Sequence, residues 1–218
     1  MEEFLWRDLR ILKKSQKMIH EALYEFDNEL RKKHGKILCG VDEAGRGPLA
    51  GPVVCAAVVL PDNMHFENLN DSKKISEKIR EELYRRICSD AVCYSTFFID
   101  NKEIDKLNIL YATMKGMLNA VNSLPIKTDY IIIDGNRVPD GMLQAECIVK
   151  GDNLSASIAA ASILAKVTRD DFMKKIDKEF PGYFFAKHKG YPTKLHYEMI
   201  EKYGITSYHR LSFLKGRI

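Results

Sequence analysis

Two apolar runs joined by a turn rich in glycine and proline constrain the fold of this chain more than any other feature. Ile37-Leu38-Cys39-Gly40-Val41-Asp42 is short and ends in an acid, and Pro52 to Leu60, PVVCAAVVL, is longer and wholly apolar. Runs of this length, bounded by turn residues and rich in branched side chains, read as buried strands. The link Ala44-Gly45-Arg46-Gly47-Pro48-Leu49-Ala50-Gly51-Pro52 is a hairpin-like connection between them.

Downstream the periodicity alternates between helix and strand. Residues 76–90 predict a helix capped by Ser76, with Ile79, Leu83 and Ile87 on one face. Residues 91–100 form a β-branched and aromatic strand, 101–122 a second amphipathic helix, and Tyr130-Ile131-Ile132-Ile133-Asp134 a buried strand. A last strand over 145–150, a long helix over 155–178 and a short helix near 194–203 complete the pattern. Three strands close in sequence, followed by crossovers, predict an α/β fold in which strands one to three are antiparallel and the later strands run parallel to the first.

Residues 1–36 read as helix. Leu5, Leu9, Leu12, Ile19, Leu23, Phe26 and Leu30 form one stripe, interrupted by Gln16, and the segment stops at Lys32-Lys33-His34-Gly35. Two units are therefore expected: a helical N-terminal extension over 1–36 and a main domain over 37–218. The extension either packs on that domain or grips nucleic acid or a partner. Trp6 is read as a packing residue.

Composition narrows the class. No apolar run is long enough to span a membrane, and the charged first residues lack the core of a secretory signal. Cysteines stand singly at 39, 55, 88, 93 and 147, an odd count without a Cys-x-x-Cys pair. That argues against a zinc site or disulfide framework and for buried, reduced thiols in a cytoplasmic protein. The six histidines form no spaced ligand motif, and His188 and His209 are either substrate contacts or core residues. The net charge is +4, but residues 166–218 carry +6 and the rest −2, which suits a polyanionic partner without proving one.

Carboxylates recur at strand ends. Asp42 and Glu43 follow the first strand, Asp134 closes the Ile-Ile-Ile run, and Asp152 follows Val149-Lys150-Gly151. Each alone is more often a turn or helix cap, and Asp152 suits the cap of the helix beginning nearby. In a sheet whose first strand is parallel to the later ones, these ends meet at one rim. Four acids there repel one another unless divalent cations neutralise them, and an all-oxygen donor set favours Mg2+ or Mn2+ over zinc. On an extended strand Asp42 and Glu43 point to opposite faces, so a shared centre requires the strand to end or bend there.

The segment Gly40 to Pro52, GVDEAGRGPLAGP, resembles the signature of type 2 ribonuclease H, the bacterial ribonuclease HII family. Asp71-Ser72-Lys73-Lys74, Ile133-Asp134-Gly135-Asn136, Lys150 to Asp170, Ala186 to Tyr191 and His209-Arg210 fit in family order. The resemblance implies an RNase H-like fold: a central mixed five-stranded sheet flanked by helices, with a helical C-terminal portion. It implies hydrolysis of RNA paired with DNA and incision 5′ to embedded ribonucleotides, leaving 3′-OH and 5′-phosphate ends. The family's metal-binding acids map onto Asp42, Glu43, Asp134 and Asp152, holding two Mn2+ or Mg2+ ions. Gly45, Arg46 and Gly47 map onto the element that meets the ribose 2′-OH, and Tyr191 onto the tyrosine that packs on the following deoxyribose. The implied partners are RNA–DNA hybrids and ribonucleotide-containing DNA duplexes, with no membrane, no organic cofactor and a monomeric protein. A non-catalytic hybrid-binding relative is the alternative. Ribonuclease HIII is set aside because it expects an N-terminal sheet domain and a Lys-type turn.

Two positions depart from the pattern: Pro192 stands where Gly often follows the tyrosine, and Leu211 replaces a second basic residue after Arg210. Ser72, Lys73 and Lys74 either contact phosphates or form a solvated turn. Ser155, Ser162, Lys166 and Arg169 share a helix face at spacings of seven, four and three. Lys166 and Arg169 either face phosphates or pair with Asp170 or Glu179.

Overall fold

The computed structural model describes residue 18 and residues 20–70, 72 and 75–216. Five strands, β1 (Leu38–Ala44), β2 (Val53–Val59), β3 (Cys93–Ile99), β4 (Tyr130–Asp134) and β5 (Ala145–Ile148), form one sheet in the order β3-β2-β1-β4-β5. The first three are antiparallel, while β4 runs parallel to β1 and β5 parallel to β4. This is the mixed topology expected from the run pattern, since parallel neighbours need a crossover and antiparallel ones only a turn.

Side-chain alternation along β2 divides the core between two layers. Val53, Cys55, Ala57 and Val59 face α3 (Asn101–Leu107) and α4 (Ile109–Asn122) through Ile104, Ala112, Met117 and Ala120. Ala56 and Val58 face α2 (Glu77–Asp90) and α5 (Ala156–Glu179) through Leu83, Ile87 and the Ala159-Ala160-Ala161 run. Covered on both sides, β2 reads as a continuous apolar run. The helix α5 lies directly on β1: a Cβ at Gly40 would collide with the Ser157 backbone.

The expected N-terminal helix is described over residues 20–34 and named α1; Trp6 and the stripe from Leu5 to Ile19 lie outside the described residues. Residue 36 is not a packing boundary. Leu23 and Tyr24 belong to the same core cluster as α5. Asp27 is wholly buried and accepts hydrogen bonds from Ser157 N (2.8 Å), Ser157 Oγ (2.7 Å) and Ser155 Oγ at the start of α5. A carboxylate there satisfies orphan donors and complements the helix dipole. Asp27→Ala strands two buried hydroxyls and an amide, a cost of about 3–5 kcal/mol. Calorimetry should show the unfolding midpoint lowered by roughly 6–15 °C; a drop within error would mean that water replaces the carboxylate.

Three expected boundaries shift for local reasons. The helix expected over 101–122 breaks at Asn108, where φ is +65° and Asn108 Oδ1 accepts from Leu110 N (3.0 Å) and Tyr111 N (3.2 Å) to cap α4. The last strand stops at Ile148 because Lys150 turns to φ +58° and opens a 3-10 turn, Gly151–Asn153. The strand β3 starts at Cys93 rather than 91. Beyond α5 come α6 (Phe185–His188), α7 (Lys194–Tyr203) and α8 (Leu211–Leu214). Among the described residues no helix is long and apolar enough to cross a membrane.

Candidate active site at the strand ends

The strands β1 and β4 pair as far as Val41↔Ile133, so Asp42 and Asp134 are the next residues on two parallel neighbours. Contrary to the expected end or bend, β1 continues through Asp42↔Ala56, Glu43↔Cys55 and Ala44↔Val54 on its β2 side. The opening is on the other side, where β4 stops. There the Asp42 carboxyl is close enough to those of Glu43 and Asp134 to feel both charges, although 42 and 43 are alternate positions on the strand.

Burial pushes the Asp42 carboxyl well above its ordinary range, and the charges of Glu43 and Asp134 push it further. Burial also raises Glu43, with Arg46 opposing and Asp134 reinforcing the shift. The Glu43 amide donates to Asp42 Oδ1 (2.7 Å), and Ser162 Oγ of α5 also donates to Asp42. Ser162 Oγ also lies 2.8 Å from Ser72 Oγ, a contact in which either hydroxyl can donate. The Gly151 amide donates to Asp134 Oδ1 (2.7 Å), which ties the turn carrying buried Asp152 to the end of β4. Asp152 does not cap the next helix; Ser155 does, accepting from Ile158 N at 3.1 Å. Asn153 Nδ2 donates to Asp152 Oδ1 (2.6 Å).

Among the described residues, no three His, Cys, Asp or Glu side chains are arranged to hold a metal ion. The donor chemistry nevertheless fits a hard divalent cation. The charges of Glu43 and Asp134 bear on Asp42 and that of Asp134 on Glu43, and among the described residues Arg46, with Nη1 3.5 Å from Glu43 Oε1, stands against them. Such a group is short of positive charge.

The turn beside the acids is held from beneath by two buried arginines. Arg210 donates through Nε to Gly51 O (2.9 Å), through Nη1 to Arg46 O (3.0 Å), and through Nη2 to Gly45 O (2.7 Å) and Gly51 O (2.8 Å). Arg169 donates to Pro52 O (2.9 Å), Lys189 O (3.0 Å) and Ala50 O (3.2 Å). Burial lowers the Arg169 and Arg210 guanidiniums to about 10 and about 9, which leaves both charged at neutral pH. Their approach dictates glycine at 45, where φ is +100° and a Cβ would collide with Arg169 Nε. Because the peptides are planar and trans, carbonyls of Gly45 and Arg46 turned toward Arg210 direct the amides of Arg46 and Gly47 the opposite way.

Beside these groups lies a cleft of about 330 Å3. Of the residues expected to touch substrate, Gly45, Arg46, Gly47, Ser72, Lys166 and Tyr191 line it, together with Glu43. Lys73 and Lys74 lie outside the described residues. Arg169 is corrected: it is 1% exposed, and its donors are taken by backbone carbonyls rather than left for phosphates. Lys166 pairs with Asp170 (2.7 Å) while still lining the cleft. Tyr191 is half-exposed beside Gly47, with the Arg169 guanidinium 5.9 Å from its ring centre. His188 and His209 are buried, which is the core reading of both. Two groups were not singled out as site residues. Ser162 was visible only as one of four residues on a helix face, and Arg210 gave no sign that it would fold inward beneath the turn.

A mixed sheet with carboxylates at the adjoining ends of two parallel strands, beside a cleft walled by backbone donors, defines an RNase H-like hydrolase. The ribonuclease HII family model matches residues 39–215. This chain therefore belongs to the ribonuclease HII family, the type 2 ribonucleases H. It is 50% identical to a ribonuclease HII of Clostridioides difficile over 196 residues, covering 90% of this chain and 77% of that one. A ribonuclease HII of Alteromonas mediterranea is 52% identical over 178 residues, covering 82% and 94%. Among solved structures, the ribonuclease H2 of Pyrococcus horikoshii superposes with a TM-score of 0.68 at 26% identity, covering 80% of this chain and 92% of that one. A Bst ribonuclease HIII in complex with Mn2+ shares the fold at TM-score 0.60 and 18% identity, covering 79% of this chain and 65% of that one.

Proposed function

We propose that this chain is an endoribonuclease that hydrolyses the RNA strand of RNA–DNA hybrids and incises 5′ to ribonucleotides embedded in duplex DNA, leaving 3′-OH and 5′-phosphate ends. One observation carries the reading. The neighbouring carboxylates of Asp42, Glu43 and Asp134 adjoin a turn whose Arg46 and Gly47 amides face away from Arg210, on the wall of a cleft that Glu43 also lines. An acidic rim alone serves many hydrolases. A rigid backbone edge beside it, without bulky side chains at 45 and 47, suits a sugar edge and its 2′-OH.

Asp42, Glu43, Asp134 and Asp152 would hold divalent cations, with Mg2+ or Mn2+ matched to their oxygens. Two such ions supply the Lewis acidity that generates the nucleophile and stabilises the leaving oxygen of a phosphodiester. The residues of this chain do the rest. Ser162 and the Glu43 amide fix the Asp42 carboxylate, and Gly151 fixes Asp134. The Arg46 and Gly47 amides receive the ribose edge. The Tyr191 ring packs on the next sugar and sets the register of the strand, and Ser72 and Lys166 face phosphates along the cleft. The same positioning converts binding energy into rate.

The decisive assay is a DNA duplex carrying one ribonucleotide, with Mg2+ or Mn2+ present. Wild type should incise it once, on the 5′ side of the ribonucleotide. No incision by wild type, or undiminished incision by Asp42→Asn, would sink the reading; tight hybrid binding without turnover would point to a non-catalytic relative.

A further inference from the structure

Beneath Tyr191 lies a cluster of buried imidazoles that the reaction does not use. His188 and His196 stack at 4.3 Å between ring centres, and His196 Nε2 is 3.1 Å from His209 Nε2. The proton positions are dictated by the backbone. The Thr206 amide donates to His209 Nδ1 (2.8 Å), so that nitrogen is bare and His209 carries its proton on Nε2. Only one proton fits between two facing Nε2 atoms, so His196 Nε2 accepts. The remaining His196 proton is on Nδ1, 3.0 Å from the Tyr191 carbonyl, to which it donates. His188 stands outside this chain: the Gly190 amide donates to its Nδ1 (3.1 Å), and its Nε2 donates to Tyr183 O (2.7 Å).

The far end of the chain is anchored. Asn101 Nδ2 donates to His209 O (2.9 Å) and Ser207 O (3.0 Å), and Asp105 accepts from the Leu211 (2.8 Å) and Ser212 (2.9 Å) amides. The strap 206–212 is thereby pinned to α3, while Arg210 within it holds the glycine turn. The two walls of the cleft, turn and Tyr191, are thus referenced to neighbouring residues of one strap.

We propose that His196 and His209 are positioning residues for Tyr191, a directed pair of neutral imidazoles that fixes the Tyr191 backbone relative to the glycine turn. The proposal rests on the reading of Tyr191 as the group that packs on the sugar beyond the ribonucleotide. Burial draws both imidazoles down to about 4, so the pair stays neutral at neutral pH. Protonating His196 would put two protons between the facing nitrogens, and protonating His209 would set a new N–H against the Thr206 amide.

A double-mutant cycle on the single-ribonucleotide duplex, at saturating Mg2+ or Mn2+, tests this. His196→Leu removes the donor and should lower kcat about tenfold, with KM changed less than about threefold. His196→Asn keeps an N–H near the place of Nδ1 and should restore most of the loss. In a Tyr191→Ala background the added loss from His196→Leu should shrink to less than about twofold. An equal loss in both backgrounds, or no difference between Asn and Leu, overturns the proposal. Imidazole 15N–1H spectra of the wild-type protein provide a readout independent of turnover and of any variant's folding. They should show a proton on Nδ1 of His196 and on Nε2 of His209, and the opposite tautomer in either ring overturns the proposal. Should wild type leave every ribonucleotide substrate intact, the assigned activity fails while these spectra still decide the imidazole chain.

Discussion

Replacing Asp42 with asparagine is expected to abolish cleavage while making the metal-free protein harder to unfold. The carboxyl is 4% exposed and lies beside Glu43 and Asp134, so its ionisation is opposed first by desolvation and then by two like charges. Asparagine retains an oxygen for the Glu43 amide and the Ser162 hydroxyl but carries no charge. The gain should be about 1–3 kcal/mol, or roughly 2–10 °C in the unfolding midpoint. Its pH dependence has a definite sign. Below the ordinary carboxylate range Asp42 is protonated both folded and unfolded, and the two proteins differ little. As pH rises, the unfolded chain ionises freely while the folded one resists, so wild type loses stability until pH passes the raised folded value. The advantage of the variant should therefore grow from acid toward neutrality and shrink when Mn2+ or Mg2+ is added, because the cations stabilise the wild-type carboxylates. Turnover should drop by about a thousandfold or more. Thermal scans with and without chelator, paired with the incision assay, measure both effects. A variant that is both active and no more stable would remove Asp42 from the centre of the site.

The parts of this molecule written in local pattern were legible in the sequence. Strand β2 shows itself as an apolar run because helices cover both its faces, and β4 because three isoleucines precede an acid. The acids at the strand ends and the glycine turn stand out for the same reason: chemistry at a rim needs residue types that strands otherwise avoid. What periodicity could not carry was depth. Arg169 shares a helix face with Ser162 and Lys166, yet Lys166 lines the cleft while Arg169 turns inward under the turn. A basic residue looks the same in sequence whether it reaches a phosphate or three carbonyls. Asp27 was hidden likewise: it lies on the apolar stripe of α1 and becomes meaningful only when α5 starts against it. The break at Asn108 was obscured because apolar Leu107, Ile109 and Leu110 flank it and no Pro or Gly marks it.

Arg210→Lys should leave the fold standing and the enzyme almost inactive, the widest separation of stability from activity expected outside the carboxylates. The native guanidinium makes four hydrogen bonds to the carbonyls of Gly45, Arg46 and Gly51 from one planar fork. An ammonium on a flexible stem has three donors in a different geometry and reaches at most one or two of these carbonyls. Each stranded carbonyl costs about 1–3 kcal/mol, but burying an uncompensated guanidinium already costs several, so the net destabilisation should be only about 2–4 kcal/mol. The Gly45–Arg46 and Arg46–Gly47 peptides are then free to rotate, and the amides facing the ribose lose their direction. A misplacement of about 1 Å in a substrate-positioning group can cost a hundredfold in rate, and such a loss in kcat is expected on the single-ribonucleotide duplex. Leu211 bears on the same point. It is 56% exposed at the start of α8, and its amide is held by Asp105. The basic residue missing from the family pattern therefore falls at a surface position, while the inward-facing Arg210 that grips the turn is retained. Leu211→Arg should accordingly change kcat less than about twofold. Arg210→Lys retaining more than about a third of wild-type kcat would show that the turn holds its shape without the guanidinium.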